Sequence, residues 1–159
     1  MPVRSPRDVQ AALAALGMDI QVRFFETSTA TSQQAADAIG ADLGAIVKSL
    51  CFMVDRQAVL VLTAGDQKVD DRKLAMLHGT SRKRVRIADA ETTIRVTGFA
   101  PGGVSPVGHV EKLPVYIDAT LQRFEVVYAA AGSPNAIFPI PFVRLAEITG
   151  GRVADVAKE

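Results

Sequence analysis

The run Ile46-Val47-Lys48-Ser49-Leu50-Cys51-Phe52-Met53-Val54 constrains this chain more than any other segment. Apolar residues occupy both alternating sets of positions, so a strand here needs cover on both faces. It reads as a central strand, not as a half-exposed edge. After Asp55-Arg56-Gln57, the apolar stretch Ala58 to Thr63 reads as its hairpin partner.

Short elements surround this hairpin. Ser5, Pro6 and Asp8 start a helix with an N-cap, a proline at the first position and an acid in the first turn. Val9, Ala12, Leu13 and Leu16 share its apolar face, and Gly17 ends it. Gln21 to Phe25 reads as a short strand. Thr31 or Ser32 caps a helix ended by Gly40. Asp70 caps another reaching about Leu77, Arg84 to Ile87 reads as a strand, and Asp89 caps a helix ended near Gly98. Val115 to Asp118, Phe124 to Ala129 and Ile137 to Ile140 read as strands, and Pro141 opens a last helix to Thr149 before Gly150-Gly151. The mixture lacks strict βαβ alternation. It predicts one α+β domain over residues 1–159, with a mixed or largely antiparallel sheet that can curl into a barrel.

The 48% hydrophobic content excludes a disordered chain. Eighteen basic and 17 acidic residues leave a net charge of +1, so the chain is not one that blankets nucleic acid electrostatically. Any RNA contact is expected to be local, at one end of the RNA, and no DNA partner is expected. The start lacks an apolar signal core, and no apolar stretch approaches the roughly 20 residues that cross a bilayer. These features predict a cytoplasmic protein with no membrane partner. The single cysteine, Cys51, reads as a small buried hydrophobe.

Two features can carry chemistry. Lys48 lies on the strand face shared by Leu50, Phe52 and Val54. Burying its ammonium without a partner is costly. Either it snorkels to water from the strand's first turn, or it stands at the mouth of a pocket and holds a phosphate, carboxylate or ester oxygen. The loop Pro101-Gly102-Gly103-Val104-Ser105-Pro106-Val107-Gly108-His109 packs three glycines and two prolines into nine residues. It is either an ordinary long connection or a stiff turn whose free amides converge on an anion or a developing oxyanion. It lacks the Gly-Lys-Ser/Thr ending of a phosphate-binding loop, and Ser105 is not in a Gly-x-Ser-x-Gly elbow. His78 and His109 form no metal-ligand pair, so no metal site is expected. His78, before Gly79 at a helix end, reads as a surface residue, and Asp66 to Asp71 as a solvated turn and cap.

The lysine strand Ile46-Val47-Lys48-Ser49-Leu50 is followed by Leu60-Val61-Leu62-Thr63-Ala64-Gly65-Asp66, then Val69 to Leu74. Thr97-Gly98-Phe99 then runs into Gly102-Gly103-Val104-Ser105-Pro106-Val107-Gly108. From about Val22 to Asp155 this order resembles the YbaK/ProX family of trans-editing aminoacyl-tRNA deacylases, and the editing domain inserted in bacterial prolyl-tRNA synthetases. The resemblance implies a mixed, largely antiparallel β-barrel surrounded by short helices, with no metal or organic cofactor. It implies that Lys48 is the family's required lysine and that Gly102 to Pro106 is its Gly-x-x-x-Pro loop. Phe25 and Glu26 match an aromatic-acid pair near the pocket, and Ser49 stands where other members often carry threonine. Members acting on cysteinyl-tRNA(Pro) tend to carry Ser-Ala-Gly where this chain has Ala130-Ala131-Gly132. That departure makes an alanyl or other small aminoacyl group at least as suitable a substrate as cysteinyl.

The expected reaction is hydrolysis of the ester that joins an amino acid to the terminal ribose of a tRNA. Lys48, Gly102, Gly103 and Ser105 are the expected catalytic residues. Phe25, Glu26, Ser49, Val104, Pro106, His109, Ala130 and Gly132 are expected to bind substrate. The expected partners are the acceptor end of an aminoacyl-tRNA and a synthetase. Two other readings remain at this point: a non-catalytic module that binds tRNA ends or a synthetase, and a small-molecule-binding barrel.

Overall fold

The computed structural model describes residues 3–159. Its strands are β1 (Arg23–Phe24), β2 (Ile46–Val54), β3 (Gln57–Ala64), β4 (Val85–Ile87), β5 (Val115–Asp118), β6 (Val126–Ala130), β7 (Ala136–Pro141) and β8 (Arg152–Ala154). Its helices are α1 (Pro6–Ala15), α2 (Ser32–Ile39), α3 (Asp71–Leu77), α4 (Ala90–Thr97) and α5 (Phe142–Thr149). The strands form one mixed eight-stranded sheet in the order β1-β7-β6-β2-β3-β5-β8, with β4 also paired to β2.

β2 is the central strand that its composition demands. Its odd-numbered Val47 joins Leu60 and Leu62 in a core beneath α1, α5 and the 99–107 segment. Its even-numbered Phe52 and Val54 join Val59, Val61 and Leu74 beneath α3. α2 seals the start of β2 through Ala35, Ala36, Ile46 and Ile137. One edge of β2 pairs with β3 along Val47–Val54. The other edge is split. Parallel β6 meets it at Ile46 and Val47, antiparallel β4 meets it at Phe52 to Val54, and among the described residues no strand pairs with this edge at residues 48–51 between them.

The barrel expectation is corrected. Among the described residues β1 and β8 end the ladder and do not pair, so the sheet is open. Three of its seven strand pairings are parallel, because β6, β5 and β8 each return in the direction of their neighbour after a crossover. The expected strand Gln21–Phe25 shrinks to Arg23–Phe24, held only against Ala136 and Ile137. Pro141 ends β7 and caps α5 from outside instead of opening the helix. β8 lies outside the sequence expectations. His78 is also corrected: its Nε2 is buried without a partner, and its ring meets Tyr116 edge-on at 5.3 Å. No helix is long and apolar enough to cross a membrane among the described residues.

Candidate active site

A cavity of about 290 Å³ opens where the edge of β2 is split. Lys48, Ser49 and Leu50 form its floor, Tyr128, Ala130 and Ile137 one wall, and Gly102 and Val104 another. The remaining side is the segment from Thr29 to Ser32 that runs into α2, with Ala35 behind it. Lys48 and the glycine loop, more than fifty residues apart in the chain, thus face one space.

Lys48 is half-buried, and its Nζ donates to the carbonyl of Gln67 at 2.5 Å. Burial pushes its pKa below the ordinary lysine value, the Asp66 carboxylate opposes that shift, and Lys68 adds to it. Asp66 does not capture the ammonium because Arg123 holds it with two hydrogen bonds, 3.0 and 2.8 Å long. The Arg123 guanidinium lies 5.1 Å over the Phe124 ring. Asp66 is therefore an ion-paired group and not merely part of a solvated turn. Ser49 contributes in two ways. Its hydroxyl is buried with no hydrogen-bond partner. The Cys51 carbonyl accepts from Ala88 across the split edge, so by the two-residue period of a strand the Ser49 backbone groups point the same way, into the gap.

The loop is rigid beneath its tip. Phe99, Val104 and Val107 are buried in the core, whereas Pro101 and Gly102 are exposed. Gly102 has a φ of +92°, which favours glycine, and a Cβ there would stand 3.5 Å from Ala30. Gly103 accepts from the Gly132 amide at 3.0 Å, tying the loop to the β6–β7 turn. Ser105 is fully buried, and its hydroxyl accepts from the Val107 amide at 3.2 Å. Its carbonyl lies 2.7 Å from His109 Nε2. Burial pushes the His109 pKa down, the Ser105 carbonyl opposes this, and Arg4 reinforces it. The ring is a brace whose Nε2–H donates to the loop backbone.

Of the residues singled out in the sequence, the structure brings Lys48, Ser49, Gly102, Val104 and Ala130 to the cavity. Gly103, Ser105, Pro106, His109 and Gly132 are not among its lining residues; they belong to the scaffold beneath and beside the loop. Phe25 packs behind the wall against the cluster of Ala35, Ile46 and Ile137, and Glu26 is exposed. Neither lines the cavity, because β1 ends at Phe24 and Phe25 is drawn to the β6–β7 turn by two hydrogen bonds with Asn135.

Sequence reasoning missed the hydroxyl-rich wall of Thr29, Thr31 and Ser32. Six consecutive small or hydroxyl residues, Thr27 to Ser32, were the available signal. Thr29 is pinned by its amide to the Pro134 carbonyl at 2.6 Å. Thr31 caps α2 by accepting from Gln34, so the positive end of that helix dipole abuts the cavity.

Among the described residues, the lining contains only two titratable side chains, Lys48 and Tyr128. It offers a cation, hydroxyls, backbone amides and small apolar walls, and no carboxylate, imidazole or thiol. Such a set stabilises negative charge and positions a small group. Among the described residues, no group of three or more His, Cys, Asp or Glu side chains stands close enough to hold a metal.

The model of the aminoacyl-tRNA editing domain matches residues 26–148. The uncharacterized protein YwhH of Bacillus subtilis is 37% identical over 137 residues, 85% of each chain. EbsC of Enterococcus faecalis, named as a candidate Cys-tRNA(Pro)/Cys-tRNA(Cys) deacylase, is 25% identical over 79% of this chain and 76% of its own. A crystal structure of a candidate trans-editing enzyme for prolyl-tRNA synthetase superposes with a TM-score of 0.92 and 39% identity, covering 100% of both chains.

Proposed function

This chain belongs to the aminoacyl-tRNA editing domain family, and we propose that it is a deacylase that frees a small amino acid, alanine foremost, from mischarged tRNA(Pro). Water adds to the ester carbonyl, the bond to the ribose oxygen breaks, and the products are a free amino acid and a tRNA with its terminal hydroxyl restored. The single observation that carries this reading is the cavity in which Lys48 and the Gly102–Val104 loop meet across small apolar walls.

The roles follow from the lining. Lys48 holds the terminal phosphate or ribose end as a point charge. The amides around Gly102 and Val104, with that of Ser49, stabilise the carbonyl oxygen as charge develops on it. An aminoacyl ester is already activated, so a positioned water or a group of the substrate serves as nucleophile without a protein base. Ala30, Ala35, Val104, Ala130 and Ile137 offer the aminoacyl group a short apolar pocket, and no hydroxyl stands at 130 to meet a cysteine thiol. At about 290 Å³ the cavity takes an aminoacyl group and part of a ribose, leaving the RNA outside. Such a site supplies discrimination that a synthetase pocket lacks when candidates differ by a methylene worth only about 1–3 kcal/mol. A cytoplasmic location suits this reaction.

The test is a deacylation screen over tRNAs mischarged with alanine, cysteine, serine and proline, read as free amino acid released. The wild-type chain is expected to clear alanyl-tRNA(Pro) and spare prolyl-tRNA(Pro). Lys48→Met keeps the stem and removes the charge, and is expected to lose at least about 100-fold in kcat/KM. Its Tm is expected to stay within about 3 °C, because relief of desolvation offsets the bond to Gln67. Near wild-type turnover by Lys48→Met would remove the cation from the mechanism. No release from any tRNA would favour a module that only binds the RNA end.

A further inference from the structure

The net charge of +1 conceals a concentration of cations at one place. The segment Arg82-Lys83-Arg84-Val85-Arg86 carries four cations in five residues. It forms a short 3₁₀ turn and then β4, beside the tip of the β2–β3 hairpin, where Arg56 adds a fifth. Together Met53, Asp55, Arg56, Lys83, Arg84 and Arg86 line a groove of about 170 Å³. The five cations are exposed. The acids nearby are Asp55, which pairs with Arg84 at 3.3 Å, and Asp89, which caps α4. Among the described residues, Arg56, Arg82, Lys83 and Arg86 make no ion pair.

We propose that this groove is the second contact of an RNA whose 3′ end occupies the cavity, and that it holds the phosphates of the preceding stem. The proposal rests on the deacylase reading for the first contact. Three observations carry it.

The first is placement. β6 and β4 occupy the same edge of β2, the cavity lies in the gap between them, and the groove lies just past the gap. From Lys48 to Asp55 is seven residues of strand, about 23 Å at roughly 3.3 Å per residue. Met53 and its pair partner Arg86 point to the face opposite Lys48 and Leu50, so an RNA leaving the cavity rounds this edge at β4 to meet the cations. The second is rigidity. The Asp55 amide donates to the Arg84 carbonyl at 3.1 Å, so hairpin tip and basic segment move as one body at a fixed distance from Lys48.

The third is strain. Val54 pairs with Gln57 around a two-residue turn in which both Asp55 (φ 48°) and Arg56 (φ 71°) are left-handed. Such a turn favours glycine at its second position. This chain places a long cation there instead, where the backbone penalty has no compensating packing, since Arg56 is exposed. A partner that needs the charge at the hairpin tip accounts for the choice. Phosphates are that partner, because four of the six side chains lining the groove are cations and only Met53 is apolar.

The experiment compares two substrates: a full-length tRNA(Pro) transcript charged with alanine, and the alanyl ester of the CCA trinucleotide. Lys83→Glu/Arg86→Glu is expected to raise KM for the full-length substrate at least tenfold, to flatten its dependence on KCl, and to leave hydrolysis of the trinucleotide ester within twofold. Arg56→Gly is expected to raise the same KM at least threefold while melting at or above the wild-type temperature. Fluorescence anisotropy with labelled uncharged tRNA provides a readout that does not depend on turnover, and Kd is expected to rise by matching factors. Equal losses on both substrates, or an unchanged KM and Kd for full-length tRNA, would overturn the proposal. So would an effect that emerges only when a synthetase is added, because the groove would then bind protein. If the wild-type chain hydrolyses neither substrate but binds tRNA through these residues, the groove stands and the deacylase reading falls.

Discussion

Lys48 shows how much of a site one residue can reveal. A lysine within an apolar strand needs a reason, and the reason here is local: its ammonium reaches the Gln67 carbonyl on the turn before α3, and Arg123 keeps Asp66 occupied. Neither partner was legible in the sequence, because both depend on where the chain returns after β3 and after β5. The lowered pKa has a kinetic consequence. If the ammonium form is the active one, activity is fully present below the folded pKa of Lys48 and is lost as pH rises through it. That loss begins below the ordinary value of 10.5, since burial favours the neutral amine. After subtraction of spontaneous ester hydrolysis, kcat/KM is expected to show this alkaline fall in wild-type protein. The residual activity of Lys48→Met is expected to lack it. An identical fall in the variant would assign the limb to another group.

At the scale of elements, the helices were legible where their ends carry local chemistry. Ser5, Thr31, Asp70 and Asp89 each stand one residue before a helix, and Gly40, Gly98 and Gly150 each end one in the left-handed conformation. β8 was not legible because three residues, Arg152 to Ala154, become a strand only by pairing with β5. The Gly-rich loop was legible as a turn, but the division of labour within it was not. Gly102 faces the cavity, whereas Gly103 and Gly132 clasp each other behind it. Substitution separates these roles. A Cβ on Gly132 would lie 2.8 Å from the Ser5 carbonyl carbon and 3.0 Å from the Pro6 nitrogen, at a φ of +89°. Gly132→Ala is therefore expected to destabilise the protein by at least about 2 kcal/mol, seen as a lower midpoint in urea. Gly102→Ala meets only open space and Ala30, so its stability loss stays near the roughly 1 kcal/mol of a left-handed alanine. Its activity loss is expected to be larger, because the methyl enters the cavity. Equal stability losses in the two variants would contradict the assignment of Gly132 to scaffold.

At the scale of the whole molecule, the α+β class and the central hairpin were legible, while closure of the sheet was not, because strand composition says nothing about whether the outermost strands meet. They do not, and the break that matters lies inside the sheet, along residues 48–51 of β2. The middle of the most central strand consequently lives like a strand at the rim. Where the even-numbered neighbours Lys48 and Leu50 turn their amides toward β3, Ser49 turns its own toward the slot between β6 and β4. In deuterated water the Ser49 amide proton is expected to trade with solvent at least about tenfold faster than those two, a fast residue stranded in a slow strand. Filling the slot with an RNA 3′ end is expected to slow that trade, which makes one amide resonance a direct reporter of occupancy.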